Sequence, residues 1–228
     1  MEKAIGPRQT SDDGEAAKPA SLAQLRSRLD VIDAELHKLL RERFAIVEDI
    51  GRAKGPGEPI IRPAREAAVL ENRLANHDGA MPPEVLAFLW RTIMSTACAL
   101  QRPFTVHTIG LTDAARFLFG PIPLHAAASP HEMLAALHDN PGDVALAPED
   151  DVPWADCGEA HVSGRYELSS GQTAVALGGA NVSHGTGPLA LILRDDKAVA
   201  VRAHAVEPDD KVLGRVHPFP LIVPVAES

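Results

Sequence analysis

The stretch LRSRLDVIDAELHKLLRERFAIVEDIGRAK, residues 25–54, places Leu25, Leu29, Ile32, Leu36, Leu39, Ile46 and Ile50 at spacings of three, four and seven, with Gly51 its only glycine and no proline. That is the period of one apolar face of an α-helix. Upstream, Ser21 followed three residues later by Gln24 has the form of a capping box, which puts the helix start at residue 21. A helix from there to about Lys54 is ~50 Å long at ~1.5 Å per residue, too long for a compact monomeric domain of this size. It needs partners along its length.

Moving outward, GPGEPIIRP at residues 55–63 breaks the helix, and Pro63 is suited to the first turn of a second one over residues 64–77, with Leu70 and Leu74 on one face. Pro82 and Pro83 open a third helix through Leu86, Leu89, Ile93, Ala97 and Leu100, which Pro103 stops. Beyond Pro103 the period shortens. Apolar runs at 105–111, 122–127, 143–148, 172–177, 189–193 and 198–205 read as strands. Residues 112–119 and 129–138 read as helices, the second capped by Ser129 with Pro130 at its first position. The expected architecture is therefore α plus α/β: a tail over residues 1–20, a three-helix domain over 21–103 and a small α/β domain over 104–228.

Composition narrows the function. The 228 residues carry a net charge of −9, which argues against nucleic acid or an anionic membrane surface as partner. Residues 21–103 hold 12 Lys+Arg against 11 Asp+Glu, so the acidity lies elsewhere. Cys98 and Cys157 form neither a metal-ligand spacing nor a disulfide framework, and the polar, Pro- and Gly-containing start has no apolar run resembling a signal peptide. No stretch approaches the ~18 consecutive apolar residues of a membrane helix. A cytoplasmic protein without a metal site is expected.

Polar residues interrupt the apolar faces. Continuing the rhythm from Leu36 and Leu39 puts Arg43 where an apolar residue belongs, and Lys54, eleven residues on, returns to nearly the same face ~16 Å away. Glu66 shares a row with Leu70 and Leu74, with Arg65 beside it, and Gln101 follows Ala97 by one turn. A lone arginine beside a seam is commonly a snorkelling side chain. Four inward-facing polar groups suggest a site for a small dicarboxylate.

These residues carry a resemblance. The 25–54 stretch, PIIRPARE at 59–66 and IMSTACALQ at 93–101 resemble the all-α (type II) chorismate mutase family over residues 22–103, through LR near the helix start, LL-x-x-R, G-R-x-K, the Arg65–Glu66 pair and a closing Gln. The resemblance implies that Arg26, Arg43 and Lys54 bind the substrate carboxylates, that Lys54 and Gln101 meet the ether oxygen of chorismate, and that Glu66 holds the ring hydroxyl. It implies no cofactor. Arg62 stands where the family often has Asp, and Ala97 where a Ser can reach a carboxylate. Arg26 and Arg43 are 17 residues apart, ~25 Å on a straight helix, so both cannot touch one ligand from the same chain. If both are used, a second chain supplies Arg26, which is also the family's arrangement of intertwined homodimer.

The run AARFLFGPIPLHAAASPHEMLAALHDNPGDVALAPED, residues 114–150, faintly resembles the start of prephenate dehydratase domains, but no Thr-Arg-Asp or Thr-Arg-Phe follows to supply that chemistry. The α/β part is expected to be an accessory domain without dehydratase activity. Two other readings stay open: an isochorismate pyruvate lyase, which resembles the same helical fold, and a non-catalytic dimeric sensor of an aromatic metabolite. GGANVSHGTGP at 178–188 lacks GK[ST] and reads as a loop, and the ten His include no HExxH.

Overall fold

The computed structural model describes residues 20–55 and 57–225, so the tail expected over residues 1–20 lies, but for Ala20, outside the described residues. The chain divides into two compact units, Met1–Ala45 and Ile46–Ser228, the division falling inside the first helix rather than near residue 103.

That helix, α1, spans Leu22–Ala53. Its start is capped as the sequence suggests: Gln24 N donates to Ser21 Oγ at 3.3 Å, and Ser21 N donates to Gln24 Oε1 at 2.8 Å. In the first unit the apolar row is uncovered, with Leu25, Leu29, Ile32, Leu36 and Leu39 between 44% and 58% exposed. Covering such half-exposed side chains is worth roughly 1 kcal/mol each.

The second unit contains α2 (Pro63–Ala75) and α3 (Pro83–Gln101), each opened by proline. After them come β1 (Val106–Thr108), α4 (Thr112–Phe119), β2 (Leu124–Ala126), α5 (Pro130–Asp139) and β3 (Val144–Pro148). The chain ends with β4 (His161–Glu167), β5 (Thr173–Gly178), β6 (Leu189–Arg194), β7 (Lys197–Arg202) and β8 (Lys211–Val216). The strands form one mixed sheet in the order β2-β1-β3-β5-β4-β8-β6-β7. β1, β2 and β3 pair in parallel; β5 turns the sheet antiparallel. Asp195 and Asp196, both at positive φ, make the two-residue turn joining β6 to β7.

The central strands are buried on both faces. Val144 and Leu146 of β3 join a core with α4 residues Ala114, Ala115 and Leu118, while Ala145 and Ala147 join another with α5 residues Met133, Leu134 and Leu137. Strands covered on both sides read as continuous apolar runs, which explains why β3 and β5 were legible. The strand expected over residues 198–205 stops at Arg202 and gives way to a turn of 3₁₀-helix, and β4 and β8 were not anticipated. Both contain a Gly-Arg pair, and in each the glycine is needed: a Cβ at Gly214 would collide with the Val162 backbone on the neighbouring strand, and one at Gly164 with the Tyr166 hydroxyl. Among the described residues no helix is long and apolar enough to cross a membrane.

The helices and the sheet share a core. Ile61 and Cys98 from the helical part pack in the cluster that contains Phe104, Val106 and Leu118. Asp143 clips the junction, its Oδ1 accepting from Thr105 N and its Oδ2 from His107 Nε2, both at 2.9 Å. Gly120, which ends α4 at φ 63°, lies against α3 so closely that a Cβ would stand 2.9 Å from Thr92 Oγ1 and 3.0 Å from Thr92 Cα. Gly120→Ala therefore meets both backbone strain and an unyielding neighbour. It should cost about 2 kcal/mol in chemical denaturation, and a change within 0.5 kcal/mol of zero, on the order of an ordinary surface substitution, would refute this account of α3–α4 packing.

Candidate active site

Gly51 decides how the end of α1 meets the end of α3. A Cβ on it would lie 3.0 Å from Gln101 Cγ, so glycine lets the Gln101 side chain rest against the last turn of α1. Lys54 follows Gly51 by three residues and comes near the same end of α3, where Cys98 and Arg102 act on its charge. Its Nζ donates to Pro59 O at 3.1 Å, and Arg62 Nε approaches the same carbonyl at 3.4 Å while its Nη2 sits 3.5 Å from Glu58 Oε2. An ammonium has three donors, so Lys54 keeps capacity for a ligand. Burial holds the Lys54 amine below the usual lysine range, and the Arg62 charge presses in the same direction.

Gln101 donates from Nε2 to Ala97 O at 3.1 Å, while its Oε1 is buried with no hydrogen-bond partner among the described residues. An amide held through its own helix backbone can turn to a ligand at the cost of one local bond. Ala97 is buried and contributes only its carbonyl. Arg65 is exposed.

Glu66 is engaged elsewhere. Its Oε2 lies 3.4 Å from Arg91 Nη1 on α3, with the two side chains 16% and 9% exposed. The pair borders a cavity of about 40 Å³, also lined by Tyr166, Arg215, His217 and Phe219 but not by Lys54 or Gln101. At ~10–15 Å³ per water position, that space holds a few waters and is too small for a ring dicarboxylate. Burial raises the Glu66 carboxyl above its usual range, and the Arg91 charge counteracts part of that rise.

In the unit Met1–Ala45, Arg26 is exposed and Arg43 is half-buried, its guanidinium 5.8 Å from the Phe44 ring. Among the described residues no group of three or more His, Cys, Asp or Glu is arranged to hold a metal.

Sequence reasoning missed Gly51, Arg102 and above all Arg91. The expected seam of α3 ran through Leu86, Leu89, Ile93, Ala97 and Leu100. The face that is buried instead carries Ala87, Arg91, Met94, Ser95, Ala97 and Cys98, whereas Leu89 and Leu100 are 45% and 59% exposed. A row of small residues at helical spacing was the available signal.

Residues 25–102 match the model of the family chorismate mutase type II. The chain is 41% identical over 85 residues to the bifunctional chorismate mutase/prephenate dehydratase of Neisseria gonorrhoeae, covering 37% of this chain and 23% of that protein. It is 39% identical over 95 residues to the protein of the same description from Pseudomonas aeruginosa, covering 39% and 26%. To the T-protein of Haemophilus influenzae it is 32% identical over 91 residues, covering 39% and 24%. The chain thus spans about a quarter of the length of these curated relatives. No solved structure matches it significantly.

The lowered Lys54 pKa has a measurable sign. By NMR titration of its side chain, Lys54 should lose its proton below the ordinary lysine value of 10.5, and Arg62→Ala, which removes a repelling charge, should move that midpoint up. A midpoint unmoved by Arg62→Ala would disprove the electrostatic coupling.

Proposed function

We propose that the protein is a chorismate mutase, catalysing the Claisen rearrangement of chorismate to prephenate in aromatic amino-acid biosynthesis. The observation that carries this reading is that Gly51 lets Gln101 rest against the last turn of α1, three residues before Lys54, within a stretch that matches the chorismate mutase type II family. The organisation we propose is a tail over residues 1–20, a catalytic helical segment over 21–103 and a non-catalytic accessory α/β segment over 104–228, in a cytoplasmic homodimer that uses no cofactor. The family match ending at residue 102 and the first strand beginning at Val106 support the middle boundary.

In this reading Arg43, Lys54 and the partner's Arg26 hold the two carboxylates and fold the substrate so that its reacting carbons approach. Orientation of this kind lowers the entropic part of the barrier. Lys54 and Gln101 donate to the ether oxygen, where negative charge grows as the C–O bond breaks. The same reading gives the ring hydroxyl to Glu66, whose carboxylate would have to turn from Arg91 to accept it, with Arg65 and Arg62 adding positive field and Ala97 furnishing packing. No proton transfer is required. An acceleration of ~10⁶ corresponds to ~8 kcal/mol, within reach of orientation and preorganised charge acting together. Gln101 donates at any pH, so activity should extend through neutral and mildly alkaline conditions until Lys54 deprotonates.

The exposed apolar row of α1 supports the dimer, because side chains left 44–58% exposed along one face gain by meeting an equivalent row. The 17-residue spacing of Arg26 and Arg43 supports a site shared between chains.

A chorismate-consumption assay with the product identified tests the activity. Prephenate is expected; pyruvate would indicate the lyase reaction, and no turnover would overturn the proposal. Lys54→Ala should lower kcat/KM by roughly 10²–10³ and Arg43→Ala should abolish turnover, both with the helical circular dichroism signal intact.

The shared site has its own test. Arg26→Ala and Arg43→Ala should each be inactive alone, yet equal mixtures subjected to subunit exchange should regain about a quarter of wild-type activity, since half the dimers then hold one intact site. Mixtures as inactive as their parents would place Arg26 outside the site.

A further inference from the structure

The loop GGANVSHGTGP, residues 178–188, follows β5, leads into β6 and is anchored on both sides of its middle. Asn181 N donates to Pro141 O at 2.8 Å and Ser183 N to Ile61 O at 3.1 Å, and Val182, 2% exposed, packs in one core cluster with Ile61. Further on, Gly185 and Gly187 lie so close to β8 that a Cβ on either would collide with the carbonyl of Arg215 or Val216. Between these anchors stands His184, exposed, its ring stacked on that of His161 with centroids 3.9 Å apart and planes inclined by 26°.

His161, at the start of β4, is the buried member, 5% exposed. Neither of its ring nitrogens makes a hydrogen bond of ordinary geometry among the described residues. A neutral imidazole tolerates such a place. An imidazolium does not, because its charge would be desolvated and would face a second ring that takes up protons in the same range. We propose that the His161–His184 stack is a pH-sensitive latch: with both rings neutral it holds the 178–188 loop shut and keeps Ser183 bonded to Ile61, and proton uptake in mild acid releases it. The latch is independent of the mutase reading. Its far end lies in the α1–α2 linker, two residues from the Pro59 carbonyl that accepts from Lys54.

Among the described residues the other titratable groups around the stack do not change charge in mild acid. β5 sets Gly178 opposite His161, the segment before β4 contributes Cys157 and Glu159, with Asp156 acting on the thiol, and β8 contributes Lys211. Burial pushes the Cys157 thiol up to about 11, so it stays neutral. Carboxylate and ammonium groups stay ionised through the range in which histidine titrates. Burial, and after it the His184 charge, hold the His161 ring below the ordinary histidine value of 6.5, while backbone groups of Ser183 and Glu159 oppose them in part. In the open loop His161 titrates at its ordinary value and takes up a proton that the closed loop resists, so closure is full above 6.5 and weakens as pH falls below it. A groove of about 460 Å³ beside the stack, which both rings line, gives His184 room to swing out.

The Ser183 amide reports the latch. In the full chain its hydrogen-exchange protection, corrected for the intrinsic acid dependence of exchange, should be constant above about pH 7. It should fall by about tenfold or more between about pH 6.5 and about pH 5, since one proton allows at most about tenfold per pH unit. NMR titration of the His161 ring should give a midpoint below 6.5. His161→Phe, which keeps a ring under His184 and takes no proton, should make the protection independent of pH, and His184→Gln should move the His161 midpoint up. Protection that stays constant in wild type, or a pH dependence that survives in His161→Phe, would overturn the latch. Should His161→Phe fail to fold, the His184→Gln titration decides: a His161 midpoint that does not move sinks the proposal.

Discussion

Close approach of α3 to its neighbours at two glycines underlies the arrangement of the second unit. Gly51 lets the Gln101 end of α3 lie against the last turn of α1, and Gly120 lets Thr92, near its middle, lie against the end of α4. Along its buried face α3 presents Ala87, Ser95, Ala97 and Cys98, side chains small enough for the backbone of one element to come near another. The rest is built around this pinned helix. α2 packs along it, the cluster holding Cys98 continues into β1 and α4, and the segment after β8 reaches back to place Phe219 over Arg91. A methyl group at Gly120 would meet the α3 backbone at Thr92, whereas one at Gly51 would press on the Gln101 side chain.

Two electrostatic environments result, different in kind. Around Lys54 the cations Arg62 and Arg102 push the amine pKa down, while Cys98 and Glu58 act in the opposite direction. Such a cluster stays under mutual repulsion until an anion arrives, which suits a pocket for carboxylates. Around Glu66 charge is matched one to one and roofed by aromatic rings, so the pair is stable as it stands. A net charge of −9 on the whole chain hides this division, because residues 21–103 contain 12 basic and 11 acidic residues and the excess acid lies elsewhere.

The helical part was legible because its signals are local. Heptad-like spacing, a capping box and prolines at the starts of α2 and α3 act within a few residues, and the structure keeps each of them. Strands buried on both faces were legible for the same reason. β4 and β8 were not, since HVSGRYE and KVLGRV mix charge and glycine, and the glycines make sense only once Val162 and Tyr166 are known to stand beside them. The candidate residues divide in the same way. Arg43, Lys54 and Gln101 stand out against an apolar rhythm, whereas Arg91 is hidden in a row of small residues whose burial depends on a sheet more than a hundred positions long in sequence. Nothing local marks Arg91 as the partner of Glu66.

The two faces of α3 account for how one helix can serve both the core of the chain and the proposed dimer. Its small-residue face is occupied within the chain, by the core it shares with the sheet and by the Arg91 cluster. Leu89 and Leu100, on the face the sequence favours as the seam, remain 45% and 59% exposed, and Phe88 is 40% exposed. Apolar side chains exposed together on one helix are the kind of patch that marks an interaction surface. The proposed second copy would find that face free, and attachment of the α/β segment would not compete with it. Had the sheet packed on the leucines instead, the accessory segment and the dimer would exclude each other. The choice of small residues for the intramolecular contact and large ones for the open face therefore lets one helix join the sheet while leaving a surface for the second copy that the proposed shared site requires.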